Sequence, residues 1–89
     1  MKKIKLTITG CLGRMGQQII KSVAKDKSFQ LVALTENKKI NRKISGIKID
    51  LNTEKIFKNS DLIIDFSTPK CTFQVLKIAS KLKKRVVIG

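Results

Sequence analysis

The stretch Gly10-Cys-Leu-Gly-Arg-Met-Gly16 decides the fold, because it joins a strand pattern to a helix pattern. Over residues 4–9 every second side chain is apolar, which predicts a strand. Over residues 14–25 apolar side chains recur every four positions, which predicts a helix. Glycines permit a tight turn between the two and the close approach of a ligand. This order predicts a site for an anion such as a pyrophosphate at the helix N-terminus.

The rest of the chain continues the alternation of strands and helices. The predicted elements are strands over 29–34, 62–66 and 85–88, and a helix from Pro69 to about residue 83. Residues 37–60 are less regular, although Ile47 and Ile49 alternate as in a short strand and residues 54–57 fit one helical turn. The order predicts an α/β fold, a Rossmann-like doubly wound parallel sheet that is incomplete, with about four to five strands.

Each of the two long helices is predicted to bury one apolar stripe. The stripe of the first helix consists of Met15, Ile19 and Val23 with Ile20 and Ala24 beside them, and the buried side of the second consists of Phe73, Leu76 and Ala79 with Val75, Ile78 and Leu82. Both stripes would face the sheet, because a helix that connects two parallel strands packs against it.

The chain has a formal net charge of +14, carried by 20 Lys and Arg residues of which only Arg14, Arg42 and Arg85 are arginines. Proteins that bind nucleic acid usually rely on arginine, and the lysines here are spread along the whole chain. We therefore expect a solvated surface, with neither nucleic acid nor a membrane as partner.

Without histidine, and with only Cys11 and Cys71 far apart, neither a metal site nor a disulfide framework is expected. Both thiols are expected to be reduced and half-buried, as in a cytoplasmic protein.

Glu36 is the second candidate site residue, at the end of the second predicted strand and twenty positions after Gly16. A carboxylate at this spacing accepts hydrogen bonds from the hydroxyls of an adenosine ribose. It also repels a 2′-phosphate and so favours NADH over NADPH, whereas Lys38 and Lys39 would offset that repulsion. Arg14 opposes the helix dipole at its position, which a contact with a phosphate would explain.

Asp65 to Pro69 end the third strong strand and begin the next helix. Ser67 and Thr68 are residue types that cap helix N-termini, and Pro69 suits the first helical position. A carboxylate at Asp65 in a buried strand requires hydrogen-bond donors, and N–H groups of the following loop would supply them. No histidine, nucleophile motif or carboxylate pair indicates a catalytic set, so we expect residues 1–89 to be the cofactor-binding part of a longer enzyme.

These motifs together resemble the 4-hydroxy-tetrahydrodipicolinate reductase family of the diaminopimelate and lysine pathway. The resemblance is carried, in order and at matching spacing, by Gly10-Cys-Leu-Gly-Arg-Met-Gly-Gln17, Ala33-Leu-Thr-Glu36, Ile64-Asp-Phe-Ser-Thr-Pro69 and Val86-Val-Ile-Gly89. It implies a truncated dinucleotide-binding domain over residues 1–89, which holds NADH or NADPH for hydride transfer to a cyclic unsaturated dicarboxylate.

The resemblance also implies roles for individual residues. The pyrophosphate would lie along Gly10, Cys11, Leu12, Gly13, Arg14 and Met15. Glu36 would bind the adenosine ribose, and Phe66, Ser67 and Thr68 would line the nicotinamide side. Gly89 would begin a loop that closes over the cofactor. Catalytic residues, the dicarboxylate site and the sheet that forms a homotetramer are expected beyond residue 89, so the 89 residues alone are expected to be inactive.

Two positions depart from the pattern of many family members. Asn37 replaces an arginine that directly follows the ribose glutamate, and Thr68 replaces another arginine. The first departure leaves the choice between NADH and NADPH open. Two alternatives remain at this point: the first domain of another NAD(P)-dependent amino-acid dehydrogenase, and, more remotely, a basic nucleic-acid-binding module.

Overall fold

The computed structural model describes residues 2–89, and in this range one sheet of six strands is combined with three helices. In chain order the elements are β1 (Ile4–Thr9), α1 (Arg14–Ala24), β2 (Phe29–Glu36), β3 (Lys43–Ile44), β4 (Ile47–Leu51), α2 (Glu54–Phe57), β5 (Leu62–Asp65), α3 (Pro69–Leu82) and β6 (Arg85–Ile88). The strand order across the sheet is β3-β4-β2-β1-β5-β6. Every pairing is parallel except that of β3 with β4.

The two faces of the sheet carry separate apolar clusters. On one face Ile20 and Val23 of α1 pack with Leu6, Ile8 and residues of β2 and β4. On the other face Val75 of α3 belongs to a second cluster with residues of α2 and β5. The polar side chains of β1 alternate with its apolar ones, as the period of two in a strand requires. Thus α1 covers one face, and α2 and α3 cover the other.

The Rossmann-like fold class is confirmed, and the sheet has six strands where four to five were expected. The additional strand, β3, has two residues and pairs with β4 through a tight hairpin. Ser45 and Gly46 form its turn with φ values of +53° and +77°. Two consecutive positive φ angles are typical of the hairpin turn whose twist matches that of the strands. The expected strand at Ile47 and the helical turn at residues 54–57 are both present.

The expected buried sides of both long helices are confirmed in part. In α1 the buried residues are Gly16, Ile20 and Val23, while 53% of Met15 is exposed. In α3 they are Cys71, Val75 and Ala79, while 76% of Phe73 and 38% of Leu76 are exposed. Ile20, Val23, Val75 and Ala79 are buried as expected. The expected burial is wrong for Met15, Ala24, Phe73 and Leu76, because the smaller Gly16 and Cys71 face the sheet and let each helix approach closely. Within residues 2–89 the structure contains no helix of the length and hydropathy that crossing a membrane requires.

Candidate dinucleotide-binding site

The glycine turn after β1 and the loop after β5 lie side by side at the carboxyl ends of the parallel strands. The N–H of Phe66 donates a hydrogen bond to the carbonyl of Thr9 over 3.1 Å. A Cβ placed on Gly10 would lie 2.8 Å from the carbonyl carbon of Phe66 and 3.0 Å from the nitrogen of Ser67. Because β2 lies on one side of β1 and β5 on the other, this is the point at which the sheet reverses its direction of growth. In open α/β sheets, ligands bind at such a point.

Glycine occupies each of the three positions in the turn for a different physical reason. Gly10 has a φ of +69°, and a side chain there would meet the loop after β5. A Cβ on Gly16 would lie only 2.5 Å from the carbonyl oxygen of Gly10, so this glycine lets α1 pack against the turn. Gly13 has an ordinary φ of −70°, is exposed, and would bring a Cβ no closer than 3.5 Å to other protein atoms. Only at Gly13 does the protein itself tolerate a side chain, so the open space above it is available to a ligand.

The N-terminus of α1 offers uncompensated N–H donors. Gly13 occupies the N-cap position without a side chain that could accept a hydrogen bond, and the first turn contains no acidic residue. Among residues 2–89, the N–H groups of Arg14 and Met15 find no acceptor. Both side chains are exposed. Free N–H groups and the positive end of the helix dipole favour an anion at this end.

Glu36 is the last residue of β2, and its carboxylate is directed to the glycine turn. Its Oε2 accepts a hydrogen bond from the N–H of Leu12 over 2.7 Å. Gln17 holds the same turn residue from the helix side, by donating from Nε2 to the carbonyl of Leu12 over 2.8 Å. Within residues 2–89 the one ion pair joins Lys81 to Glu54, so Glu36 forms no ion pair. The carboxylate is half-buried and retains acceptor capacity for ribose hydroxyls.

Cys11 is part of the turn, and its side chain is fully buried, rather than half-buried as expected. Burial raises the pKa of its thiol, and the negative charge of Glu36 raises it further, to about 11. A thiol of this kind is protonated at neutral pH and has little nucleophilic reactivity. Cys11 therefore shapes the turn through its backbone and its small volume.

Asp65 organises the second loop from a fully buried position. Its carboxylate accepts hydrogen bonds from the Ser67 N–H over 3.0 Å and from the hydroxyls of Ser67, Thr9 and Thr72. Burial by itself would raise the pKa of Asp65, but hydrogen bonds from Ser67, Thr72 and Thr9 outweigh it and hold the pKa below its ordinary value of 3.8. The expected role of Asp65 in shaping the loop agrees with these contacts, in which hydroxyl groups contribute more donors than N–H groups.

The side chains of Ser67 and Thr68 do not cap α3. Thr68 stands at the N-cap position and Pro69 follows at the start of the helix, but the Thr68 hydroxyl accepts no capping hydrogen bond. The Ser67 hydroxyl donates to Asp65 instead. Thr72, which sequence reasoning did not select, completes the network from the first turn of α3. A hydroxyl one helical turn after Pro69 was the available signal for it.

Most of the predicted site residues come together around these two loops. Residues 10–15, Glu36 and the Phe66–Ser67 pair surround the carboxyl ends of β1, β2 and β5, and Thr68 is exposed at the start of α3. The N–H of Gly89 donates to the carbonyl of Asp65 over 2.9 Å, and a Cβ on Gly89 would collide with the ring of Phe66. Whether each of these residues contacts a cofactor remains a prediction.

The strand order and the two loops define the class of the protein. Without the short β3, the order β4-β2-β1-β5-β6 is that of a doubly wound sheet built outwards on both sides of β1. The chain is thus a Rossmann-type α/β domain. The family model described as dihydrodipicolinate reductase, N-terminus, matches residues 4–89. The chain belongs to the dihydrodipicolinate reductase family and corresponds to its N-terminal part.

Individual relatives support this assignment. The chain is 68% identical, over all of its 89 residues, to 34% of the 4-hydroxy-tetrahydrodipicolinate reductase of Pelagibacter ubique (strain HTCC1062). Among solved structures, 99% of it superposes on 37% of a dipicolinate-bound dihydrodipicolinate reductase from Paenisporosarcina sp. TG-14, with a TM-score of 0.84 and 25% identity. An aspartate semialdehyde dehydrogenase with NADP from Candida albicans shares the fold alone, since it has a TM-score of 0.78 over 99% of this chain and 30% of its own, at 16% identity. The chain spans about a third of the length of the curated relatives it matches.

Proposed function

We propose that this chain is the NAD(P)H-binding part of a 4-hydroxy-tetrahydrodipicolinate reductase. Its 68% identity to the reductase of Pelagibacter ubique supports this function. The single observation that carries it is Gly13, a glycine that neither its φ nor its protein neighbours require. An open glycine at the N-terminus of an uncapped helix is what a pyrophosphate needs in order to approach the backbone.

Each part of the site has a distinct task in this proposal. The N–H groups of Arg14 and Met15 bind the pyrophosphate, and the Arg14 side chain adds a positive charge. Glu36 accepts hydrogen bonds from the adenosine ribose, whose hydroxyls supplement the Leu12 N–H. Asp65 holds the loop that carries Phe66 and Ser67, which lies on the route to the nicotinamide. When bound, the reduced nicotinamide supplies the hydride, and the protein contributes position and electrostatics.

The activity of the whole enzyme follows as part of the same proposal. It reduces a cyclic unsaturated dicarboxylate to tetrahydrodipicolinate in lysine and diaminopimelate biosynthesis. The dipicolinate-bound relative supports a small cyclic dicarboxylate as substrate. We place the catalytic and dicarboxylate-binding groups beyond residue 89, in an enzyme that is a cytoplasmic homotetramer. The family match favours this function over that of another amino-acid dehydrogenase or a nucleic-acid-binding module.

Calorimetric titration of the 89-residue chain with NADH and NADPH tests the proposal. We expect Glu36→Ala to weaken NADH binding by about tenfold or more, because hydrogen bonds to a charged group are lost. The matched control is Glu54→Ala, which removes the same charge from α2, where the glutamate pairs with Lys81 on the surface. It should leave the affinity unchanged. Absence of binding by the folded chain, or an equal loss in both variants, would contradict the proposal.

A further inference from the structure

Of the two lysines expected to offset the repulsion of a 2′-phosphate, Lys39 lies away from Glu36. Asn37, directly after Glu36, carries no charge, and Lys38 and Lys39 were expected to offset the repulsion between Glu36 and a 2′-phosphate. Lys39 instead lines a surface depression together with Asp50, Lys55 and Ile56. Because Ile56 packs against the cluster under α2 and α3, this depression lies towards the face opposite α1. Glu36, by contrast, contacts the turn that leads into α1.

Arg42 lies on the α1 face of the sheet, which is the face where Glu36 contacts the glycine turn. Its carbonyl accepts a hydrogen bond from the N–H of Ile49 over 3.1 Å, so residue 42 continues the antiparallel ladder of β3 with β4. Ile49 in turn pairs with Leu34, two residues before Glu36 on β2. Residues that oppose each other across a ladder lie on the same face of the sheet. Ile49 and Leu34 are both buried in the cluster on the α1 face, so Arg42, which opposes Ile49, belongs to that face as well.

The neighbours of Arg42 along the chain give the same orientation. Ile40 and Ile44 both pack against the α1-side cluster, and a strand repeats its direction every second residue. Arg42 stands between them, so its side chain leaves the sheet on the side of Glu36 and the glycine turn. It is exposed, and its backbone lies two strand spacings, about 9–10 Å, from β2.

The positive charge of Arg42 affects the pKa of a thiol in the glycine turn. Burial and the charge of Glu36 raise the pKa of Cys11 to about 11, whereas a hydrogen bond to its backbone and the charge of Arg42 lower it. Arg42 is the cation that acts on this thiol, and Glu36 is the anion that does so. The two side chains therefore act on the same corner of the site.

We propose that Arg42, carried by the β3–β4 hairpin, is a specificity-determining residue that binds the 2′-phosphate of NADPH. This inference rests on the proposed function. A phosphate on the ribose 2′-hydroxyl would be repelled by Glu36, and a guanidinium on the same face offers paired donors that offset the repulsion. The hairpin thereby supplies the charge that Asn37 lacks.

Titration of the 89-residue chain with both cofactors, in matched charge-removing variants, tests this inference. We expect Arg42→Gln to raise the Kd for NADPH by about tenfold, because a charge-assisted contact is lost. The Kd for NADH should change by less than about twofold, since only screened surface charge is removed. Lys39→Gln removes an equal charge from the opposite face and should change neither value. Arg42→Lys, which retains the charge without the fork, should fall between the unmodified chain and Arg42→Gln.

The outcomes separate this inference from the proposed function. An equal loss of NADPH affinity in Arg42→Gln and Lys39→Gln would overturn the inference, because the effect would then follow net charge rather than position. A loss in Lys38→Gln but not in Arg42→Gln would overturn it in favour of the neighbour of Asn37. A chain that binds NADH but not NADPH would also overturn it, while leaving the proposed function supported. If the folded chain binds neither cofactor, the proposed function itself fails.

Discussion

The Oε2 atom of Glu36 accepts a hydrogen bond from the N–H of Leu12 over 2.7 Å, across 24 positions of the chain. This contact fastens the end of β2 to the turn between β1 and α1. The carboxylate that we assign to the ribose therefore also fixes the shape of the turn assigned to the pyrophosphate. A change at Glu36 affects both, and suitable substitutions separate the two effects.

Glu36→Gln and Glu36→Ala should differ in stability. Glutamine retains a side-chain oxygen that can accept from Leu12, so we expect its free energy of unfolding to change by less than about 0.5 kcal/mol. Alanine removes the acceptor and should cost about 1 kcal/mol. Urea unfolding followed by circular dichroism measures both. Equal stability of the two variants would show that the Leu12 contact contributes nothing to the fold.

Gly13→Ala and Gly16→Ala should separate binding from folding. A Cβ on Gly13 lies at least 3.5 Å from other protein atoms, so alanine should lower the free energy of unfolding by at most about 1 kcal/mol, as a poorer N-cap. It should nevertheless weaken NADH binding strongly, because it fills the ligand's approach. A Cβ on Gly16 lies 2.5 Å from the Gly10 carbonyl oxygen and should cost about 1–3 kcal/mol in stability. Unaltered NADH affinity in Gly13→Ala would contradict the account.

Asp65 should make the stability of the chain depend on acid pH. Its pKa is lower in the folded state than the ordinary value of 3.8, so the folded state favours the ionised form. The resulting stabilisation is fully present above that ordinary value, and it is lost as the pH falls through the folded-state pKa. Urea unfolding at about pH 6 and about pH 3 measures the loss.

Variants of the Asp65 network identify its source. Asp65→Asn should cost about 1.5–3 kcal/mol near neutral pH and should reduce the difference in stability between the two pH values. Thr72→Val removes one donor hydroxyl and is the milder test should Asp65→Asn fail to fold. If Thr72→Val left the acid dependence of the unmodified chain unchanged, its hydroxyl would not contribute to the low pKa.

Cys11 should resist alkylation in the folded chain. With a pKa of about 11, its thiol is ionised to about one part in a thousand at pH 8, and its side chain is fully buried. Iodoacetamide labelling followed by peptide mass spectrometry should therefore find Cys11 unmodified under native conditions and fully modified in urea. Labelling of Cys11 at the same rate in both conditions would contradict the burial of its side chain.

The features that could be predicted from the sequence are those encoded by neighbouring residues. The glycine turn, the parallel strands and Pro69 at the start of α3 each depend on a few adjacent positions. The Ser45–Gly46 turn was also a local signal, but β3 has only two residues and pairs with one strand, so no periodicity marked it. Ser-Gly flanked by isoleucines is a hairpin pattern that would have indicated it.

The features that could not be predicted depend on which groups the packing of the elements buries and on the register of the strands. Met15 and Phe73 continue apolar stripes in sequence, yet both are exposed because the smaller Gly16 and Cys71 face the sheet. The Ser67 hydroxyl was expected to cap a helix, but the buried carboxylate of Asp65 is a stronger acceptor and takes its hydrogen. The positions of Lys39 and Arg42 relative to Glu36 follow from the register of the β3–β4 hairpin, which sequence reasoning did not assign.

The central claim is that the glycine turn and the two neighbouring strand ends form one dinucleotide site. A titration of the isotopically labelled 89-residue chain with NADH, followed by backbone amide NMR spectra, tests it most directly. We predict that the largest shifts occur at residues 10–16, at Glu36 and at Phe66–Thr68, and that amides of Asp26–Ser28 at the opposite end of α1 remain unchanged. Shifts concentrated away from the turn, or no shifts at millimolar NADH, would contradict the account.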